Sequence, residues 1–346
     1  MNAGLSRRLR PLAKVTRATR PTRVTKPTKP TKLARVATTV AAAVSLIAVA
    51  ACGSGSGSDA TAGDTAEAVT IQAATGEVKL PKPAVRVAVM QWQFLEDLLA
   101  LGVQPVMIAD EQQPGSGNPM PPQFEGKLGK YTSLGSRISP NLEILSAEPI
   151  DLIVADKSEH LKDYEQFSQI APTLILDTSS WADFYPNLQK LGQAVGKADK
   201  AAETEKSLKD SIAAGKSKLT AEAGKRALIG VPTPDKFFAF TANSLQAGVL
   251  SELGLTYAYK EVAGKLSDQT PLEALAQTKA DAMFLTVDPG SPVVTDTWKG
   301  NSLWDSIPAV QTNQVHTVDR GVWSVGRGAL SVPMMVQQTV DTFAKG

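Results

Sequence analysis

The chain has 346 residues, 42% of them hydrophobic, with 36 Lys or Arg, 34 Asp or Glu, and one cysteine, Cys52. That length carries one large domain or two modest ones with a sizeable core, and a lone cysteine excludes an intrachain disulfide. The net charge of +2 hides a split: residues 1–51 hold eleven of the basic residues and no Asp or Glu, so residues 52–346 hold 25 basic and 34 acidic, net −9. An acidic folded part excludes nucleic-acid binding as the main expectation, although the pI of the whole chain is about 8.5.

The basic segment 17–32, with its repeated Thr-Lys-Pro, is a low-complexity tail. An uncharged run, 36–51, follows and closes as Val49-Ala50-Ala51-Cys52, before Gly53-Ser54-Gly55-Ser56-Gly57-Ser58. A basic stretch, a short apolar run and small residues before a cut mark an export signal. The run is shorter than the ~20 residues a membrane-spanning helix needs. Ending on a lone Cys, it resembles the lipobox of bacterial lipoproteins. That resemblance implies a signal peptide over 1–51, a lipid on Cys52, and a chain held at the extracytoplasmic face of the cell membrane. Residues 52–68 contain no large apolar side chain and read as a flexible tether.

Beyond the tether, Val69-Thr70-Ile71-Gln72 and Glu77-Val78-Lys79-Leu80 alternate as two strands of a hairpin. Arg86-Val87-Ala88-Val89-Met90 is a strand, 92–101 a helix with Phe94, Leu95, Leu98, Leu99 and Leu101 at helical spacing, and Gly102 its stop. Pro105-Val106-Met107-Ile108-Ala109 is the next strand, and this β-α-β order predicts a parallel sheet. Two later segments echo each other. Residues 139–145 lead to the strand 151–155, and residues 270–275 lead to the strand 282–287. Each reads as a cap, a proline at the first helical position, a glutamate in the first turn, a helix and a buried strand. The echo predicts two lobes of similar build. Between them, 197–225 lacks proline and has a single glycine, Gly215, before Gly224, which predicts one long connecting helix. The second lobe opens with the strand 227–231 and continues with a helix over 243–253. A strand over 315–318 and a closing helix over 332–343 complete it. The expected organisation is thus an α/β chain with lobes at 69–196 and 226–346.

Catalytic signatures are missing. No Gly-x-Ser-x-Gly, phosphate loop or Gly-x-Gly-x-x-Gly opens a helix. His160 and His316 are the only histidines and have no partner at zinc-ligand spacing. Both are expected to be structural or exposed, and no enzyme activity, cofactor or protein-held metal is expected.

Several stretches carry a likeness. Leu134-Gly135-Ser136-Arg137-Ile138-Ser139-Pro140-Asn141-Leu142-Glu143 is one, continued by Pro149-Ile150-Asp151-Leu152-Ile153-Val154-Ala155-Asp156 and Ile170-Ala171-Pro172-Thr173-Leu174. Pro83-Ala84-Val85-Arg86-Val87 and Leu98-Leu99-Ala100-Leu101-Gly102-Val103-Gln104-Pro105 precede them. Leu303-Trp304, Pro308-Ala309-Val310-Gln311-Thr312-Asn313-Gln314-Val315, Val318-Asp319 and Trp323 close the series. Over nearly all of 69–346 the chain resembles the ferric-siderophore and ferric-dicitrate substrate-binding proteins of ABC importers, a family that includes cobalamin binders.

The resemblance implies two Rossmann-like lobes joined by one backbone helix, a monomer, and a ferric siderophore or ferric citrate bound in the cleft between lobes. The iron arrives wrapped in its chelator and takes no protein ligand, and the chelate passes to the permease subunits of an ABC transporter. Cobalamin or haem is the alternative cargo, and an exported enzyme or adhesion module on this scaffold is the alternative from another class.

Residue by residue, Glu143 and Glu273 match the glutamates that dock such proteins on their permease. Thr270-Pro271-Leu272-Glu273 also has the spacing of a capping box, which would confine Glu273 to its own helix. Arg137 matches a ligand-contacting arginine, a side chain whose fork of donors suits carboxylate or hydroxamate oxygens. Lys157, Arg320 and Arg327 fall in loops expected near the cleft. Glu159 stands where ferric-citrate binders can carry Arg, a departure that favours a less anionic chelate. Trp92, after the first core strand, and Trp323, near the late one, are placed to face the cleft. Trp298 and Trp304 are expected in the core.

Overall fold

A computed structural model of the chain describes residues 67–111, 120–288 and 290–344. The expected signal over 1–51, Cys52 and residues 53–66 lie outside the described residues. Strands β1 (Val69–Ala73) and β2 (Gly76–Leu80) form the expected antiparallel hairpin, with Ile71 paired to Val78 and both buried.

Strands β3 (Val87–Val89), β4 (Met107–Ile108), β5 (Thr132–Ser133), β6 (Leu152–Asp156) and β7 (Thr173–Leu176) form a parallel sheet in the order β5-β4-β3-β6-β7. Every residue of β3, β6 and β7 is buried. A parallel sheet covered on both faces reads as continuous apolar runs, which is why Leu152-Ile153-Val154-Ala155 shows no alternation. The helix Trp92–Ala100 makes the crossover from β3 to β4 and stops at Gly102, whose φ of +75° suits a residue without Cβ.

The second sheet contains β8 (Arg226–Pro232), β9 (Phe237–Phe240), β10 (Thr256–Tyr257), β11 (Ser267–Gln269), β12 (Ala282–Val287) and β13 (Val315–Asp319). Its path is β11-β9-β8-β12-β13, and β10 also pairs with β8. Strands β8, β12 and β13 are parallel, but β9 runs antiparallel to both of its neighbours, β8 and β11. The second lobe is therefore not a plain repeat of the first. Thr233 N–H donates to the Lys236 carbonyl (2.8 Å), and Lys236 N–H donates to Thr233 Oγ1 (3.1 Å). This tight turn returns the chain at once, where a parallel pair would need a crossover.

The echoed helices are present as Leu142–Ser146 and Leu272–Gln277, but their prolines fall ahead of the first helical residue, Pro140 by two places and Pro271 by one. Asn141 caps the first, its Oδ1 accepting from Ile144 N–H at 3.0 Å, with Pro140 ahead of it. Pro271 itself occupies the cap position of the second, without a side-chain cap bond, so no capping box forms there.

The connecting helix runs Ala198–Lys218 and stops short of residue 225. Buried Leu219 leaves helical geometry at ψ 17°, a single tight turn follows at Thr220–Glu222, and Gly224 turns left-handed at φ +81°. Gly215 is a point of close approach. A Cβ there would lie 2.6 Å from Val336 Cγ1 on the closing helix Ser331–Ala344 and 2.8 Å from Leu253 Cδ2. One apolar core passes from Val87 and Val154 of the first sheet through Leu208 and Ile212 of this helix to Ile229 and Phe284 of the second.

Polar groups also join the two sheets' elements. Glu96 and Asp97, on the first sheet's crossover helix, are fully buried against the start of the closing helix. Glu96 Oε1 accepts from Gln123 Nε2 (2.7 Å) and Ser331 Oγ (2.6 Å); its Oε2 accepts from the N–H groups of Gly328 (2.9 Å) and Ser331 (2.7 Å). Asp97 Oδ1 accepts from Ala329 N–H (2.9 Å), and its Oδ2 has no hydrogen-bond partner among the described residues. Four free N–H groups at a helix start attract carboxylates, here supplied across the lobes. No helix among the described residues is long and apolar enough to cross a membrane.

Candidate functional site

The strand ends of the two sheets feed one cavity of about 350 Å³. Trp92 follows β3 and Arg137 follows β5, while Val287 and Asp288 follow from β12, and Asp319 and Arg320 end β13. In open α/β sheets the crevice beyond the carboxyl ends of the strands is where ligands bind. Met120, Pro121 and Pro122 form a further wall, and Gly321 and Val325 belong to the π-helical turn Gly321–Gly326. Such turns recur at functional sites.

Arg137 is the most constrained cation of this wall. Its guanidinium carbon lies 4.6 Å from the centre of the Trp92 ring, a cation–π contact worth about 0.5–2 kcal/mol. Its Nη1 donates to Gln91 Oε1 at 2.9 Å, and its Nε lies 3.5 Å from Glu111 Oε1. Burial pulls the guanidinium below its ordinary value; Glu111 opposes this, and the positive charges of Arg327 and Arg320 reinforce it. A guanidinium still keeps its proton in a protein, so Arg137 stays a cation. Arg320 and Arg327 lie near enough for their positive charge to act on Arg137.

Each of these arginines has a carboxylate at hand. Arg320 Nη1 lies 3.7 Å from Asp288 Oδ2. Arg327 is held left-handed at φ +66° between Gly326 and Gly328, and its buried Nε has no partner. Burial lowers its guanidinium as well, opposed by Asp156, Glu96 and Glu159. A Cβ on Gly328 would lie 2.5 Å from the Gln93 carbonyl oxygen, so only glycine lets this segment press on the first lobe's helix.

Trp92, Arg137 and Arg320 thus line one cavity. Arg327 does not line it but adjoins it in charge. Two expectations are corrected. Trp323 does not face the cleft: it is fully buried, stacked on Phe284 with ring centres 5.3 Å apart, and its Nε1 donates to Gln338 Oε1 at 2.6 Å. Its neighbours Phe284 and Val322 fill the core, and a ring of that size is taken up by the sheet beneath it. Lys157 lies outside the cavity lining; its Nζ is 2.7 Å from Asp177 Oδ2, and that ion pair turns it aside. Trp298 and Trp304 do pack together, ring centres 5.6 Å apart, in the apolar cluster on the outer side of the second sheet.

Glu143 and Glu273 are exposed in the first turns of the echoed helices, and neither carboxylate bonds to another described residue. Sequence reasoning missed Gln91, Glu111 and Asp288. Glu111 is left-handed at φ +57°, a strained setting for a non-glycine residue that no local signal announces. Among the described residues no group of His, Cys, Asp and Glu side chains is arranged to hold a metal ion.

Two α/β lobes that direct their strand ends at one arginine-walled cleft define a bilobal binding protein. Sequence comparison assigns the chain accordingly: it belongs to the periplasmic binding protein family, which it matches over residues 87–320. It is 32% identical to the Fe(3+)-citrate-binding protein YfmC of Bacillus subtilis over 71% of this chain and 76% of that protein. It is 29% identical to the putative ABC transporter substrate-binding lipoprotein YhfQ of the same organism, over 84% of this chain and 93% of that one. Among solved structures it resembles Staphylococcus aureus SirA complexed with staphyloferrin B, at a TM-score of 0.69 and 24% identity over 80% of this chain and 98% of SirA. That last likeness speaks to the fold.

Proposed function

We propose that this chain is a lipid-anchored receptor that captures a ferric chelate in the cleft and delivers it to the permease of an ABC importer. The carrying observation is Arg137, seated on Trp92 and facing the cavity from the first lobe, opposite Arg320 from the second. Charged donors with shielded, fixed geometry suit the oxygen-rich surface of a wrapped iron. A relative that binds Fe(3+)-citrate and a relative that is a substrate-binding lipoprotein support this reading. In it, residues 1–51 are the signal peptide and Cys52 carries the lipid. Residues 52–68 are the tether, 69–196 and 226–346 the lobes, and 197–225 the connecting segment, acting as a monomer on the extracytoplasmic face.

The pairing of Arg137 with Glu111 and of Arg320 with Asp288, with Glu159 acting on both Arg137 and Arg327, leaves the cleft close to charge balance. This favours a ferric chelate of low net charge over a strongly anionic one. A tryptophan-fluorescence titration against ferric citrate, a ferric trihydroxamate, a ferric catecholate, haem and cobalamin tests the reading. One ferric chelate should saturate the protein, and Arg137→Ala should weaken it by roughly 10- to 100-fold, as for a hydrogen bond to a charged group. Saturation by haem or cobalamin alone would overturn it.

A further inference from the structure

Arg137 is gripped at its main chain as well as at its side chain. Its N–H donates to Glu111 Oε1 at 2.7 Å. Its carbonyl oxygen lies 2.6 Å from Nε2 of His160. The other ring nitrogen of His160, Nδ1, accepts from Asp156 N–H at 3.2 Å. An imidazole that accepts at Nδ1 carries its proton on Nε2, so His160 donates to the Arg137 carbonyl. The ring is fully buried and packs on Phe167, with ring centres 6.0 Å apart.

The place of this bridge in the sheet gives it meaning. His160 ends the short helix Lys157–His160, which follows β6 and is capped by the Asp156 carboxylate. Arg137 lies in the loop after β5, the edge strand. Strands β4 and β3 stand between β5 and β6, so no ladder hydrogen bond sets the Arg137 loop against β6. The loop's own backbone bonds run to the ends of β4 and β5, Glu111 N–H to the Gly135 carbonyl at 3.0 Å and Asn141 N–H to the Leu134 carbonyl at 2.9 Å, and Ile138, next to Arg137, is 57% exposed. His160 spans that gap with one hydrogen bond on each side.

We propose that His160 is a positioning residue for Arg137: by holding its carbonyl to the end of β6, it sets the guanidinium over Trp92 and so sets chelate affinity. The inference rests on the reading that Arg137 contacts the chelate. Two near-isosteric variants divide the ring's bonds. His160→Gln keeps an N–H at the place of Nε2 and loses the acceptor at Nδ1, whereas His160→Asn keeps an acceptor near Nδ1 and loses the donor.

Titration with the ferric chelate that the unaltered chain binds, ferric citrate or a ferric trihydroxamate, should place His160→Gln within about twofold of the unaltered affinity. His160→Asn should lose about tenfold, the worth of one hydrogen bond. On an Arg137→Ala background the His160→Asn loss should vanish. Thermal melting should fall in both variants, because each gives up one of the ring's two bonds, whereas affinity should fall only in His160→Asn. In the ligand-free protein, the Trp92 indole N–H resonance should move in His160→Asn toward its position in Arg137→Ala and stay put in His160→Gln.

Equal affinity losses in both variants, a loss that persists in full without Arg137, or a His160→Asn chain that does not fold would each overturn the proposal. An Arg137→Ala chain of unchanged affinity would instead overturn the reading of the cleft, and the indole resonance would then decide by itself whether His160 holds Arg137.

Discussion

Arg137 owes its place to residues that the chain order keeps apart: Gln91, Trp92, Glu111 and His160. Its residue type and its loop were legible in the sequence; its partners were not, because they come from three other strand ends, those of β3, β4 and β6. Glu96 and Asp97 likewise meet their partners only in the folded chain, where both are fully buried. Burial first, and the neighbouring Glu96 charge after it, push the Asp97 carboxyl well above the usual carboxylate range. Asp97 therefore binds its proton more tightly in the folded chain than in the unfolded one. The stability it contributes is complete below the ordinary carboxylate range, about pH 4, and is lost as pH climbs toward the raised value. Asp97→Asn keeps the acceptor for Ala329 and removes the ionisation, so melting temperature should decline less with rising pH than in the unaltered chain. A slope of melting temperature against pH that the substitution leaves unchanged would refute this account.

At the scale of elements, the pair of short helices Leu142–Ser146 and Leu272–Gln277 is where permease docking is proposed. Each presents one unpaired, exposed glutamate ahead of a buried strand, Glu143 before β6 and Glu273 before β12. Carboxylates free of internal partners cost little to desolvate against a basic surface and steer encounter. Replacing both with alanine should abolish chelate uptake in cells while leaving chelate affinity in titration unchanged; a parallel fall in affinity would remove them from the docking role. Helix and strand positions were legible here because apolar periodicity is local. The caps were misjudged, by two residues at Asn141 and by one at Pro271, and the connecting helix ends early at Leu219, because termination depends on which residues the rest of the fold buries.

At the scale of the whole molecule, the proposed lipid on Cys52 would tie the acidic lobes to a membrane through the Gly/Ser segment. Cys52→Ala should move the protein from the membrane fraction to the soluble one, and unchanged fractionation would end that reading. The sequence by itself determined the α/β class, the two lobes and the helix between them, since these follow from hydrophobic spacing along neighbouring residues. It also marked Trp92, Arg137 and Arg320 as candidates. Tertiary structure alone decided that the second sheet is mixed, that Trp323 belongs to the core, and that His160 and Glu111 secure the arginine of the cleft. Those outcomes depend on contacts between residues far apart in the chain, where burial and hydrogen bonding are settled only after the strands have found their order.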